Sequence, residues 1–437
     1  MQETSLEKLV AEKDFVAPLA AHVQLLFRLI HTLRAADCGP WLKRHYFQLQ
    51  SEADEVEVFL DDYGARSNQS YNYFTELVAS IRGFALSGMS LEHLSRRLDG
   101  YGVLDSLRPV EQGAVVGGLD EARKLIHDVL LALFGALGAE GRRLGLTIPE
   151  LGFPAERLGG DGHLRFSLPR NVGQEELEQE EPRIAEVASK FIQACSMLED
   201  AGIRSIDDPE ERERFLHYRC TEELARVYEA TVHNLQSVYD TYVRNTVLEA
   251  QDRRLSKLRG HISSTLHLLE AATQLTHFVE RHESGQRSEV AEQRLSTVVV
   301  RAEVRRMTLN ALLFPAYLLM SKGRAIAVEL LPSYTQVGAL EVEISEGISL
   351  HARPCSLIVA IVNHYGTPVE MEIGGRVCSA GSILELMISV GSHPKERRFV
   401  FRGDVNPLRD IGLLFEHDLG ETGLNTLPAE LSYLRNG

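Results

Sequence analysis

One histidine, one arginine and one serine in the last fifth of this chain have the chemistry to handle phosphate. In "ISLHARPCSL", residues 348–357, His351 and Arg353 precede an apolar helical run. Pro354 suits a first helical turn, where its missing N–H costs nothing. His351 therefore stands on a loop at a helix N-terminus, with Leu357, Ile358 and Ile361 as the apolar face behind it. Such a terminus offers unpaired N–H donors and a partial positive charge. That disfavours a protonated imidazole and predicts a neutral, nucleophilic histidine near pH 7. The same donors would hold a phosphoryl group once attached, and the fork of Arg353 matches phosphate oxygens. Together these features describe a covalent phosphoryl acceptor. The plain alternative for a lone histidine here is a helix cap. Ser382 poses the same choice, because it starts the short amphipathic helix "SILELMIS" and can cap it or carry a phosphate.

A compact domain must position these residues. Near 338 the pattern turns to alternation with period two, in "ALEVEIS", "PVEMEIG" and "RRFVFRG". Helical patterns fall between and after them. The order strand, helix, strand, strand, helix, strand, helix predicts an α/β domain with an antiparallel sheet and helices on one face.

This domain resembles HPr, the small histidine phosphocarrier of the bacterial sugar phosphotransferase system. The resemblance is carried by "LHARP" at 350–354 with its apolar helix, "VEMEIGGRVCSAGSILELM" at 369–387 and "FVFRGD" at 399–404, and it covers roughly 339–420. In that family a histidine and a serine stand 31 positions apart, as His351 and Ser382 do. The resemblance implies an open-faced α+β sandwich with His351 phosphorylated on a ring nitrogen and Arg353 as the active-centre arginine. It implies Ser382 as a regulatory kinase site, with Ile383 and Leu384 beside it docking partner proteins. The implied partners are an Enzyme I-like kinase that loads His351 from phosphoenolpyruvate, a IIA-type acceptor that unloads it, and an HPr kinase for Ser382. The protein would be a phosphoryl relay, not a turnover enzyme, and would need no cofactor. The chain also departs from the family. Ser349 stands where glycine is usual, Cys355 replaces alanine, Gly381 stands where many members carry lysine, and one residue is inserted near "LMISVGSHPKERR", where a glycine common in that turn is missing.

The rest of the chain reads as helical bundles. Apolar residues at Leu9, Phe15, Leu19, Val23, Leu26 and Ile30 have helical spacing. Helical patterns continue over 41–100, with breaks expected at "DDYGARSNQS", Gly83, Gly88 and Gly100. A further helix is expected at 119–137. Seven glycines and three prolines in 139–173, then the acidic "EELEQEE", mark a linker. No proline occurs from 210 to 314, and Leu224, Tyr228, Leu235, Val238 and Tyr242 form the stripe of a long packed helix. A turn at "RHESGQRSEV", a helix at 291–306 and a buried helix-turn-helix over 308–335, broken at Pro315, Gly323 and Pro332, complete it. The expected organisation is a helical domain at 1–146, a linker at 147–181, a long-helix bundle at 182–335, the phosphocarrier-like domain at 338–421 and a tail at 422–437. The striped helices suggest a homo-oligomer.

Composition narrows the function classes. The chain has 437 residues, 44% hydrophobic and 25% charged, as in soluble globular proteins. Its net charge of −16 argues against nucleic-acid or anionic-membrane binding. Five scattered cysteines without a CxxC pair read as free thiols of a reducing compartment, and a cytoplasmic protein is expected. "MTLNALLFPAYLLM" at 307–320 reads as too short to span a bilayer. His261, His267, His277 and His282 lack i,i+4 pairing, so no metal site is expected and they read as helix-surface or interface residues. "GALGAEGRR" is not a phosphate loop, and "HPKERR" with Arg402 reads as solvated surface. Two functions remain, a phosphoryl carrier joined to a helical regulatory or oligomerising region, and a docking or scaffold protein whose His351 is never modified. No catalytic constellation supports a separate enzyme in 1–335.

Overall fold

The computed structural model describes residues 10–35, 38–153, 180–281, 288–345, 348–421 and 423–435. The chain is mostly helical, with a four-stranded antiparallel sheet near the C-terminus. It divides into two compact units drawn from discontinuous segments. One comprises Met1–Leu168, Met197–His233 and Gly260–Lys322, and the other Pro169–Ser196, Asn234–Arg259 and Gly323–Gly437.

The first unit begins with α1 (Glu12–His22), α2 (Gln24–Arg34), α3 (Lys43–Asp62), α4 (Asn72–Ser95), α5 (Leu98–Tyr101) and α6 (Pro109–Arg143). Phe15, Leu19, Val23, Leu26 and Ile30 are buried, as their spacing predicts, while Leu9 lies outside the described residues. The turn at "DDYGARSNQS" is present, but Gly83 and Gly88 do not break α4. Gly88 is there for space: a Cβ on it would lie 2.3 Å from the Tyr46 ring, so the glycine lets α3 and α4 approach. α6 starts ten residues before the expected 119, because Pro109 occupies its first position and Glu111 caps it. "GALGAEGRR" lies inside this helix.

Next along the chain come α7 (Glu180–Asp200), α8 (Pro209–Arg219), α9 (Glu222–Tyr242), α10 (Val247–Gln251) and α11 (Arg253–Arg281). The linker glycines from 154 to 173, most of "EELEQEE" and His282 lie outside the described residues. The buried face of α9 is Ala225, Tyr228, Val232, Leu235 and Tyr239, so Val238 and Tyr242 fall one position off it. Tyr242, 40% exposed, instead carries the Arg183 guanidinium over its ring at 4.6 Å.

The expected helix at 291–306 is two helices, α12 (Glu289–Ser296) and α13 (Arg301–Arg306). Beyond them Pro315 and Gly323 do not break the helix. A π-helical segment, Met307–Leu313, runs into α14 (Phe314–Leu330), and Pro332 ends it. The wider π turns shift the hydrogen-bond register just before Pro315, where no N–H is available. Asn310 in the π-helical segment brackets one peptide: its Oδ1 accepts from Ile206 N–H at 3.0 Å and its Nδ2 donates to the Ile206 carbonyl at 3.0 Å. Arg301–Ser333 is thus a 33-residue helix long and apolar enough to cross a membrane by length and composition, although its apolar window is 50% buried inside the protein.

In the second unit the sheet has order β1-β4-β2-β3, formed by β1 (Val337–Glu343), β2 (Val369–Ile373), β3 (Arg376–Ser379) and β4 (Arg398–Asp404). β1 pairs with β4 from Val337↔Asp404 to Glu343↔Arg398. α15 (Ala352–Tyr365), α16 (Ile383–Ser392) and α17 (Val405–Glu416) cover one face. Alternation decides which face: Val369, Met371, Ile373, Phe399 and Phe401 are buried beneath the helices, whereas Glu370 and Arg402 point outward. The expected tail adds to this core through buried Leu427, Leu431 and Leu434. Asp410, almost fully buried, accepts from the hydroxyls of Tyr365 at 2.7 Å and Tyr433 at 2.9 Å. Burial and the Asp410 charge push the Tyr365 hydroxyl up to about 12.

Candidate functional site

Each helix of this domain starts at a residue that can cap it. His351, Ser382 and Asp404 are the N-caps of α15, α16 and α17. His351 adopts extended backbone (φ −120°, ψ −168°), and its Nδ1 accepts from the Arg353 N–H at 3.4 Å. That contact is long and weak, so the ring nitrogen is oriented by the helix terminus without being tied up by it. The side chain is 49% exposed. Its Nε2 lies 2.9 Å from Glu421 Oε1. Arg353 is exposed, and its guanidinium meets no carboxylate among the described residues.

The three substitutions are accommodated. Among the described residues the non-glycine ones with positive φ are Asn245, Asp418 and Leu419, so Ser349 needs no glycine-only conformation. Cys355 is fully buried, and burial followed by the neighbouring Cys378 pushes its thiol up to about 11. It packs and does not react. A Cβ on Gly381 would sit 3.3 Å from Val362 Cγ1, a tight but yielding contact.

Ser382 Oγ accepts from the Glu385 N–H at 3.3 Å, and Glu385 Oε2 accepts from the Ser379 N–H at 2.9 Å. A phosphate on Ser382 would therefore share its helix start with a carboxylate, which opposes it. Ile383 and Leu384 are exposed at 42% and 67%, and Met387 and Ile388 extend the same apolar surface by one turn. "HPKERR" and Arg402 do not form a free basic patch. Arg397 donates to the Ile344 carbonyl, Arg398 pairs with Glu341 and Arg402 with Glu372.

Glu421 was not expected. It comes after a turn in which Asp418 (φ 50°), Leu419 (φ 56°) and Gly420 (φ 71°) are all left-handed. Two non-glycine residues in that region cost about 1–3 kcal/mol each. Burial of Leu419, 1% exposed, offsets this, at roughly 2 kcal/mol for such a side chain. Glu421 is far from "HARP" in the chain, and no spacing rule connects the two.

Of the helical histidines, expected at helix surfaces or interfaces, the described ones are enclosed or paired. His261 is buried, with Nε2 3.5 Å from Ser106 Oγ. His267 Nδ1 lies 2.9 Å from Glu270 and His277 Nδ1 lies 2.7 Å from Glu222. Among the described residues no group of three or more His, Cys, Asp or Glu side chains could hold a metal. A cavity of about 460 Å³ in the first unit is lined by Glu213, His217, Cys220, Thr276 and Arg305, among others. Its charges are spent on each other, as with Arg305 and Glu213 at 3.4 Å, and burial pushes the Cys220 thiol up to about 12.

Fold and site define a mostly helical protein with a small antiparallel sheet domain that presents a half-exposed, helix-capping histidine. No family model, curated protein or solved structure matches the chain.

Proposed function

We propose that this protein is a cytoplasmic phosphoryl carrier of a phosphoenolpyruvate-dependent phosphotransferase system, with an HPr-like domain at 338–421. One observation carries the reading: His351 is accessible and turns Nδ1 toward the Arg353 N–H at the start of α15. That donor, and Arg353, whose guanidinium meets no carboxylate among the described residues, favour a phosphoryl group on that nitrogen. The order of elements over 337–416 agrees with the resemblance. The exposed face Ile383, Leu384, Met387 and Ile388 suits transient docking of an Enzyme I-like kinase and a IIA-type acceptor. Ser382 is the weaker part, because Glu385 disfavours a phosphate there; an HPr kinase is the partner least supported. The helical region would regulate or oligomerise the carrier.

Incubation with an Enzyme I protein and phosphoenolpyruvate tests this. An acid-labile phosphate should appear and be lost in His351→Ala. No label from any cognate Enzyme I would sink the proposal. The same apolar face on α16 would then favour the second reading, a docking module whose histidine is never modified.

A further inference from the structure

We propose that the cavity of the first unit is a binding site for a small organic cation, a primary ammonium with an apolar tail, held by Glu280 and Thr276. The site is independent of the carrier reading.

Its walls follow from the helices. Thr276, Val279 and Glu280 stand at i, i+3 and i+4 on α11, so one face of that helix lines the cavity. Leu216 and Tyr218 of α8 and Cys220 just after it also line it. The volume of about 460 Å³ falls in the usual range of small-molecule sites, roughly 300–1,000 Å³.

Two polar groups on the wall have capacity left for a ligand. Thr276 is 5% exposed, yet its hydroxyl has no hydrogen-bond partner among the described residues. Its neighbours differ. Thr273, three residues earlier on α11, donates to the Leu269 carbonyl at 2.9 Å, and Thr308, also on the cavity, donates to the Val304 carbonyl at 2.9 Å. A buried hydroxyl without a bond is costly, and a ligand that supplies the bond removes the cost. Glu280 accepts from the Glu222 N–H at 2.7 Å through Oε1. Among the described residues no Lys, Arg or His pairs with it, so Oε2 remains.

Charge selects the ligand. At the rim Arg305 pairs with Glu213 at 3.4 Å and Arg214 with Glu210 at 3.8 Å, so these charges cancel. Cys220 lies beside both wall groups. Burial pushes its thiol up to about 12, Thr276 opposes the rise and the Glu280 charge adds to it, so the thiol is neutral at pH 7. The carboxylate of Glu280 is the charge left over. An ammonium has three donors and no acceptor. One fits Glu280 Oε2 and a second fits the Thr276 hydroxyl, which accepts. An anion would meet the Glu280 charge, and a neutral alcohol would leave it uncompensated. Val279 and Leu216 suit an apolar tail, and Tyr218, 71% exposed, offers its ring.

Isothermal titration of the full-length protein at pH 7 tests the site with three probes of like size: phenethylammonium chloride, 2-phenylethanol and sodium 3-phenylpropanoate. The ammonium should bind with a Kd below about 1 mM, and the other two about tenfold more weakly or worse. Glu280→Gln keeps an acceptor for the Glu222 N–H and loses the charge. It should weaken the ammonium by about tenfold and remove its advantage over the alcohol. Thr276→Val, which keeps the shape and loses the hydroxyl, should weaken it by about threefold to tenfold. No binding of the ammonium, equal binding of the three probes, or an unchanged affinity in Glu280→Gln would each overturn the site. Should Glu280→Gln fail to fold by circular dichroism, Thr276→Val decides, and an unchanged affinity there overturns it equally.

Discussion

His351 and His267 each meet a glutamate oxygen at 2.9 Å, in opposite surroundings. The His267 side chain is 13% exposed and that of His351 49%. Glu270 also accepts from Ser90 at 2.8 Å, and the His267 ring packs on His93 at 4.5 Å between centroids. Burial works against the Glu270 carboxylate, yet His267, Ser90 and His233 together hold it below its ordinary value. The bond from Ser90 ties α4 to α11, while the bond between His267 and Glu270 is made within α11. At His351 the glutamate is close but makes no hydrogen bond to the ring, and Nδ1 makes only the long contact to the Arg353 N–H. A glutamate beside a histidine is a structural tie where the two are hydrogen-bonded and the ring is enclosed, and a loose ion pair where the ring is half open.

The largest expected difference is in stability. Glu270→Ala should lower the unfolding free energy of the first unit by about 3 kcal/mol, because it strands Ser90 and His267 in a buried setting. Glu421→Ala should cost about 0.5 kcal/mol or less, as exposed pairs do. Urea midpoints followed by circular dichroism compare the two. Equal costs would mean that the dry and open pairs are built alike.

Much of this contrast could not be read from sequence. Caps are local, so His351 and Ser382 were legible from "HARP" and "SILELM" with their helices. The strands were legible because Val369, Met371 and Ile373 alternate with outward residues on a sheet covered on one side only. Glu421 was not, because its contact depends on a turn whose shape is set by burial of Leu419. Nor was Gly88, whose role is to admit the Tyr46 ring and which by type alone reads as a helix breaker. On α9 the spacings of three and four were right, but Val238 and Tyr242 are one residue from Tyr239 and its neighbours on the buried face. Spacing fixes the period of a stripe more firmly than its phase.

The second expected effect is on pH dependence. Burial, then the charges of His267, Lys43 and Arg97, push His93 down to about 4, against the pull of Glu270. Its folded value lies below the unfolded one of about 6.5, so the folded state binds fewer protons between these limits. Stability from this source is complete above pH 6.5 and is lost as pH falls toward 4. Because the ring is partly exposed, screening reduces the loss to about 1 kcal/mol. Melting temperatures at pH 7 and pH 5 should differ more in wild type than in His93→Gln. A flat profile in wild type would remove this role of His93.

The smallest effects concern the caps. Ser382→Ala should cost about 1 kcal/mol by removing the acceptor for the Glu385 N–H. His351→Asn separates capping from chemistry. Asparagine is among the best N-cap residues, so its side chain can replace the imidazole at the start of α15. Stability should stay within about 0.5 kcal/mol of wild type, and it should rise if the long 3.4 Å contact of His351 is a poor cap. Phosphoryl acceptance should vanish all the same, since an amide has no nucleophilic ring nitrogen. A stable, unlabelled His351→Asn beside a labelled wild type would show that histidine occupies this cap for its reactivity. A large loss of stability would show the reverse, that the imidazole is there to hold the helix, as His267 is there to hold its neighbours.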